Sequence, residues 1–140
     1  GTAGMPVLNV IKQENIKNVA VVVTRYFGGV LLGAGGLVRA YTKSSKIALE
    51  SGKIVDKKLF YDVLFKLDYT LLGKMDNELL KNNVIIRDKE YEEQVLFKLI
   101  VEKENLDKIN ALVGEISSGK AEISVGQAKY YSTKNGKIVD

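Results

Sequence analysis

The sequence predicts an α+β protein of two modules. The second half alternates apolar and polar residues in several short stretches, with helical spacing between them. The first half holds one continuous run of apolar residues, then a glycine-rich turn and a helical pattern. The charge divides at the same place. Residues 1–58 carry nine Lys/Arg against three Asp/Glu, whereas residues 59–140 carry twelve against fourteen.

The composition excludes several functional classes. No apolar run among the 140 residues approaches the roughly 18 that a membrane span needs, so we expect no membrane partner. The chain has no cysteine and no histidine, which removes thiolate and imidazole ligands and the usual catalytic triads. We therefore expect no metal, no cofactor and no catalytic residues, and we lean against an enzyme. The lack of cysteine fits a cytoplasmic protein.

The first module, residues 1–56, begins with a short helix. Pro6 suits a first helical turn, and Val7, Val10 and Ile11 give that helix a buried face. Residues 18–27 contain VAVVV, which predicts a strand covered on both faces. A glycine-rich turn (28–36), a helix (37–50) and a linker (53–58) follow.

This strand has no predicted neighbour. A lone strand leaves its backbone N–H and C=O groups unpaired, and a stable sheet needs about three strands or equivalent packing. We therefore expect the first module to be the C-terminal part of a larger domain whose first strands lie upstream of Gly1. The alternative is that another chain supplies the partner strands.

The second module, residues 57–140, has the order β-α-β-β-α-β. Alternation predicts strands over residues 59–67, 95–101 and 121–125 and a short strand over 84–87, before a charged turn at 88–93. Helical spacing predicts one helix that ends at Asn82-Asn83 and another that ends at Ser117-Ser118-Gly119. This is the ferredoxin-like arrangement. Residues from Lys129 onward add an edge strand or a tail.

Residues 28–36 contain five glycines. Between a buried strand and a helix N-terminus, backbone amides and the helix dipole can hold an anion. The standard nucleotide loops do not fit, because Ala34 stands where a P-loop needs Lys and Val38 where a dinucleotide loop needs Gly or Ala. In the alternative interpretation the glycines permit close packing, and the apolar residues 30–32 are buried.

The helix after the turn is basic. Arg39, Lys43 and Lys46 are spaced four and three apart, so they form one exposed stripe, predicted to lie opposite Leu37, Tyr41, Ile47 and Ala48. Aromatic residues 26 and 27 could stack on bases, although Phe27 is favoured as a core residue. The candidate anion- or nucleic-acid-binding residues are Arg25, Tyr26, Gly28, Gly29, Gly33, Gly35, Gly36, Arg39, Tyr41, Lys43 and Lys46. Residues 94–99 lack the pattern of an RNA-recognition module.

Residues 1–6 (GTAGMP) and 23–41 (VTRYFGGVLLGAGGLVRAY) resemble the YigZ/IMPACT family, in particular its bacterial YigZ branch. The resemblance implies a first domain folded like the second domain of ribosomal protein S-five, which also occurs in elongation factor G. It implies a second domain similar to the C-terminal region of that factor. It also implies that part of the first domain, with histidine-bearing motifs, lies upstream of Gly1. Eukaryotic members act in translational control through a protein partner.

Three functional hypotheses follow. The first is a translation-associated factor that contacts RNA or the ribosome through the glycine-rich turn and basic helix. The second is a protein-interaction regulator of translation that makes no RNA contact. The third is a hydrolase or transferase that uses the turn as an anion hole, with a base supplied by upstream residues.

Overall fold

The computed structural model describes residues 1–139 and divides the chain into two compact units, Gly1–Val55 and Asp56–Asp140. The first unit is helical, and the second is an antiparallel sheet covered by helices. The predicted mixture of α and β structure is therefore confirmed.

The first unit consists of two helices, α1 (Gly4–Gln13) and α2 (Gly33–Ser51), which pack against each other. Of the predicted buried face of α1, Val10 is buried and Val7 and Ile11 are half-buried; Pro6 is buried as well. Ser45 is the fully buried residue of α2. Its hydroxyl donates a 2.8 Å hydrogen bond to the Tyr41 carbonyl, which satisfies the buried polar group.

The predicted strand over residues 18–27 is wrong for this structure, because residues 19–32 form neither helix nor strand. Within residues 1–139, no backbone N–H of residues 17–32 donates to another backbone carbonyl. All strands of the described chain belong to one sheet in the second unit. The valine-rich sequence favours extended backbone, but a strand forms only where a neighbour supplies hydrogen bonds.

The second unit has the predicted order of elements. It comprises β1 (Asp56–Leu67), α3 (Leu72–Lys81), β2 (Ile85–Tyr91), β3 (Val95–Glu102), α4 (Leu106–Ile116), β4 (Ile123–Lys134) and β5 (Lys137–Ile138). The strands are antiparallel and lie in the order β2-β3-β1-β4-β5. Short 3-10 turns at Tyr69–Leu71 and Lys103–Asn105 lead into α3 and α4.

The core of this unit lies between the sheet and its two helices. Phe65 on β1 pairs in register with Phe97 on β3, and their rings stack with centroids 4.9 Å apart. Met75 and Leu79 from α3 and Ile109 and Val113 from α4 join the same buried cluster. These are the positions that strand alternation and helical spacing predicted.

Three boundaries differ from the sequence prediction. β1 begins at Asp56, inside the predicted linker, because its first residues pair with β4. Lys57, for example, lies opposite Ser132. β2 runs to Tyr91 through the predicted charged turn, since Asp88 and Glu90 pair with positions on β3. Residues after Lys129 continue β4 and then form the edge strand β5.

Candidate functional site

The predicted basic stripe is present on α2. Arg39, Lys43 and Lys46 are all exposed, and one helical turn separates each from the next. They border a shallow groove that is also lined by Val38, Thr42, Ile47 and Glu50. We call Arg39, Lys43 and Lys46 the α2 stripe. It presents three cations along one side of a single helix.

The charges of the α2 stripe are largely unneutralised. Lys46 Nζ lies 4.0 Å from Glu50 Oε1, and these side chains are 57% and 63% exposed, so the pair is weak. Arg39 and Lys43 have no ion pair within residues 1–139. Arg25 is also exposed and has no carboxylate partner in that range.

Several cations of the second unit form ion pairs with carboxylates. Lys58 lies 2.9 Å from Glu102, and Lys89 lies 3.0 Å from Asp76. Hydrogen bonding to these carboxylates raises the pKa of Lys58 and of Lys89 above their ordinary value. The further pairs are Lys98 with Glu90 and Asp88, Lys66 with Glu92, Lys81 with Glu78, and Arg87 with Asp62.

The five predicted turn glycines are in different environments. Gly29 and Gly33 have φ of 85° and 71°, the left-handed region that glycine adopts without strain. A Cβ on Gly36 would lie 2.9 Å from the Leu32 Cβ, so this glycine permits a close approach. Gly28 and Gly35 do not have a left-handed φ, and a Cβ added at either position would have no atom of the described residues within 4 Å. Packing within residues 1–139 therefore does not explain why glycine occupies positions 28 and 35.

The predicted turn is shorter than expected, because α2 begins at Gly33 rather than at residue 37. Gly33, Gly35 and Gly36 consequently lie in the first helical turn. The first N–H groups of a helix have no intrahelical partner, and Leu32 at the N-cap provides no side-chain acceptor. Such amides and the positive end of a helix dipole are groups that favour an anion, and the anion site at this turn stays a prediction.

The aromatic residues before the glycines are exposed. Tyr26 is 89% exposed and Phe27 67%, so the expectation that Phe27 is a core residue is wrong. With Arg25 and Gly28-Gly29 they form a contiguous stretch without regular secondary structure, which we call the aromatic–glycine segment (residues 25–29). In the described residues no sheet covers this stretch, which explains why Phe27 is not buried.

Not every predicted site residue joins the α2 stripe. Tyr41 is half-buried and, two residues after Arg39, lies about 200° around the helix from it. Ile47 was expected opposite the cations but borders the same groove, because it follows Lys43 by one turn. The buried side of α2 instead centres on Ser45, a small polar residue that apolar periodicity cannot identify.

Sequence reasoning also missed exposed apolar side chains. Val22, Val30, Leu31 and Leu32 are all exposed, although a buried strand was predicted at Val22 and the alternative interpretation of the turn had residues 30–32 buried. The sequence did contain a signal for this exposure. An apolar run that has no predicted partner strand has nothing to cover its side chains.

Residues 1–139 contain neither a cluster of metal-binding carboxylates nor a membrane-spanning helix. Among residues 1–139, no group of three or more Asp or Glu side chains is placed to hold a metal ion. No helix in that range combines the length and apolarity that crossing a bilayer requires.

Comparison with known proteins identifies the two halves of the chain separately. The Impact N-terminal domain matches residues 1–49, and a domain of unknown function (DUF1949) matches residues 65–120. The boundary between the two matches contains the start of the second unit at Asp56.

Several curated proteins are similar over most of the chain. The IMPACT family member YvyE of Bacillus subtilis (strain 168) is 41% identical over 93% of this chain and 60% of its own length. An IMPACT family member of Haemophilus influenzae is 32% identical over 89% of this chain and 61% of its own. The IMPACT family member YigZ of Escherichia coli (strain K12) is 27% identical over 88% and 60%. The chain thus spans about 60% of the length of these relatives. Both domain matches and these relatives agree, and the chain belongs to the IMPACT family.

Proposed function

We propose that this chain is part of a translation-associated regulatory factor that binds RNA, free or within the ribosome. The contact surface is the α2 stripe together with the aromatic–glycine segment. Arg39, Lys43 and Lys46 bind phosphates, and the first-turn amides of α2 add uncharged donors.

The observation that carries this proposal is the uneven charge of the chain, nine Lys/Arg against three Asp/Glu in residues 1–58 and twelve against fourteen in residues 59–140. In the second unit, lysines such as Lys58 and Lys89 are held by carboxylates, which leaves their charge compensated. In the first unit, Arg25, Arg39 and Lys43 have no such partners within residues 1–139. Uncompensated cations attract a polyanion, and the row of cations in the α2 stripe suits the regularly spaced phosphates of RNA.

The family resemblance supports the translational part of the proposal. Its implied folds, those of ribosomal protein S-five domain two and the C-terminal region of elongation factor G, belong to proteins that work on the ribosome. This is support by analogy of fold. Such a role is carried out in the cytoplasm.

The test is the salt dependence of RNA binding by the full chain. The probe is a fluorescein-labelled RNA hairpin with a single-stranded tail, followed by anisotropy between low and moderate salt. With three or four phosphate contacts, log K should fall against log salt with a slope between about −2 and −3. The double substitution Arg39→Ala/Lys43→Ala should reduce that slope by about 1.4.

A charge-matched control is available in the second unit. Lys66→Ala/Lys81→Ala also removes two exposed cations, but both of these are paired with glutamates. This variant should bind the hairpin like the unsubstituted chain. Absence of binding, or equal losses in the two double variants, would contradict the proposal.

A protein partner is the second candidate function. The exposed side chains of Val22, Leu31 and Leu32 favour it, because apolar surface of this kind is typical of protein contacts. Affinity capture from a cell extract, with and without ribonuclease, separates the two candidates. Ribonuclease-resistant capture of one stoichiometric protein, together with no hairpin binding, would favour the protein partner.

A further inference from the structure

We infer that the nucleic acid accepted by this surface is single-stranded, and that its bases stack on Tyr26 and Phe27. The inference rests on the proposed function and specifies the class of ligand. It assigns stacking to the aromatic–glycine segment and phosphate binding to Arg25 and the α2 stripe.

The two rings have no aromatic or cationic partner within residues 1–139. Several rings of the second unit do have such partners. Tyr69 and Tyr91 stack at 6.4 Å, and Tyr131 contacts Phe60 at 5.6 Å and the Lys129 ammonium at 5.2 Å. Tyr26 and Phe27 therefore offer open aromatic faces, which flat ligands such as bases can cover.

The neighbours of these rings suit a phosphate backbone. Arg25 immediately precedes Tyr26 and supplies an unpaired guanidinium, while Gly28 and Gly29 follow Phe27. The two glycines have no side chain to hold a ligand away, and their N–H groups donate to no backbone carbonyl within residues 1–139. Cations beside aromatic rings are the combination that binds unpaired nucleotides without sequence preference.

A duplex does not fit this combination. Inside a double helix each base is covered by its neighbours, so a side chain can stack only on bases that are unpaired and splayed out. Phosphate contacts alone would not distinguish the two forms. Stacking on Tyr26 and Phe27 is therefore what selects single strands over duplexes.

The sheet of the second unit is a poorer platform. On the face of the sheet away from α3 and α4, Phe60 is 6% exposed and Ile100 8%, so neither offers a free surface. The charged groups of that face include Lys58 and Lys98, which are already paired with carboxylates. Tyr26, at 89%, is more exposed than any tyrosine of the second unit, of which Tyr130 is the most exposed at 63%.

The absence of tryptophan from the chain makes stacking directly observable. Tyr26→Trp introduces a single indole at the proposed contact. Single-stranded oligo(U) of about 12 nucleotides, the length of one such site, should quench its fluorescence in parallel with binding measured by anisotropy. Heparin, a polyanion without bases, should bind through the cations and leave the fluorescence unchanged. Binding of oligo(U) without quenching would overturn the inference.

Affinity measurements give an independent test. Tyr26→Ala/Phe27→Ala should weaken oligo(U) binding about tenfold or more while leaving the salt slope unchanged. Tyr26→Phe should retain the affinity, because the ring is kept. Tyr130→Ala, which removes an exposed tyrosine of the second unit, should have no effect.

The same measurements separate this inference from the proposed function. Preference for oligo(U) over an RNA duplex of equal length supports the inference. Equal binding of the two, with no effect of Tyr26→Ala/Phe27→Ala, overturns the inference and leaves the proposed function standing. Failure to bind the tailed hairpin overturns both.

Discussion

Lys89 on β2 and Asp76 on α3 form a two-pronged contact, with the lysine Nζ 3.1 and 3.0 Å from the two carboxylate oxygens. The same ammonium lies 5.8 Å from the centre of the Phe97 ring. This contact joins the edge of the sheet to the helix that covers it. It also explains how a lysine is accommodated on the helix-covered face of β2.

We expect this contact to stabilise the second unit measurably. In a double-mutant cycle of Lys89→Met and Asp76→Asn, the coupling in the free energy of unfolding should be about 1 kcal/mol. The matched control is the more exposed pair Lys81–Glu78, for which the coupling should stay below about 0.5 kcal/mol. Urea unfolding followed by circular dichroism provides the values. Equal coupling in the two cycles would contradict the assignment.

Alkaline pH should weaken the same unit. The pKa values of Lys58, Lys89 and Lys98 are raised above 10.5, chiefly by hydrogen bonds to Glu102, Asp76 and Glu90. The folded state therefore holds more protons than the unfolded state as pH rises past 10.5, and stability must fall there. The contribution of these pairs is fully present below that pH and is lost as pH passes the raised pKa values.

This dependence is measured by urea unfolding between pH 8 and about pH 11. Lys89→Met should show a smaller loss of stability over the alkaline range than the unsubstituted chain, because one of the three titrating groups is gone. Lys74→Met, which changes an exposed lysine outside these pairs, serves as the control. A loss of stability that is the same in both variants would count against the prediction.

The Phe65–Phe97 stack should be the most sensitive point of the core. Both rings are buried and make a stacked contact between the central strand β1 and its neighbour β3. Phe97→Ala should cost about 3–5 kcal/mol of unfolding free energy, through lost burial and the cavity that remains. Leu80→Ala on the exposed side of α3 should change it by less than about 0.5 kcal/mol. A small effect at Phe97 would show that the core is packed differently.

Two glycines of α2 should respond to alanine with opposite signs. Gly35 has ordinary φ and open space around it, so Gly35→Ala should stabilise the helix by up to about 1 kcal/mol. Gly33 has φ of 71°, and Gly33→Ala should destabilise the start of α2 by about 1–2 kcal/mol. Helical circular dichroism during thermal unfolding distinguishes them. Stabilisation by both substitutions would mean that Gly33 is not left-handed.

In the second unit, the local pattern of apolar and polar residues predicted most of the structure. Alternation along residues 59–67 and 95–101 and helical spacing at Met75, Leu79, Ile109 and Val113 predicted its elements and its core, because each residue there faces either the helices or solvent. The charged residues 88–91 were predicted as a turn. They extend β2 instead, because Asp88 and Glu90 pair with residues of β3 and Lys89 forms an ion pair with Asp76.

The first unit shows what local pattern cannot decide. Composition and spacing by themselves determined that the chain has a basic first half, a glycine-rich turn and a three-cation helical stripe, because these depend on residue type and helical period alone. Whether residues 18–27 form a strand, whether Phe27 is buried, and which lysines keep a free charge were decided only by tertiary structure. Each of these depends on a partner distant in sequence: a neighbouring strand, a covering surface or a carboxylate within hydrogen-bonding distance.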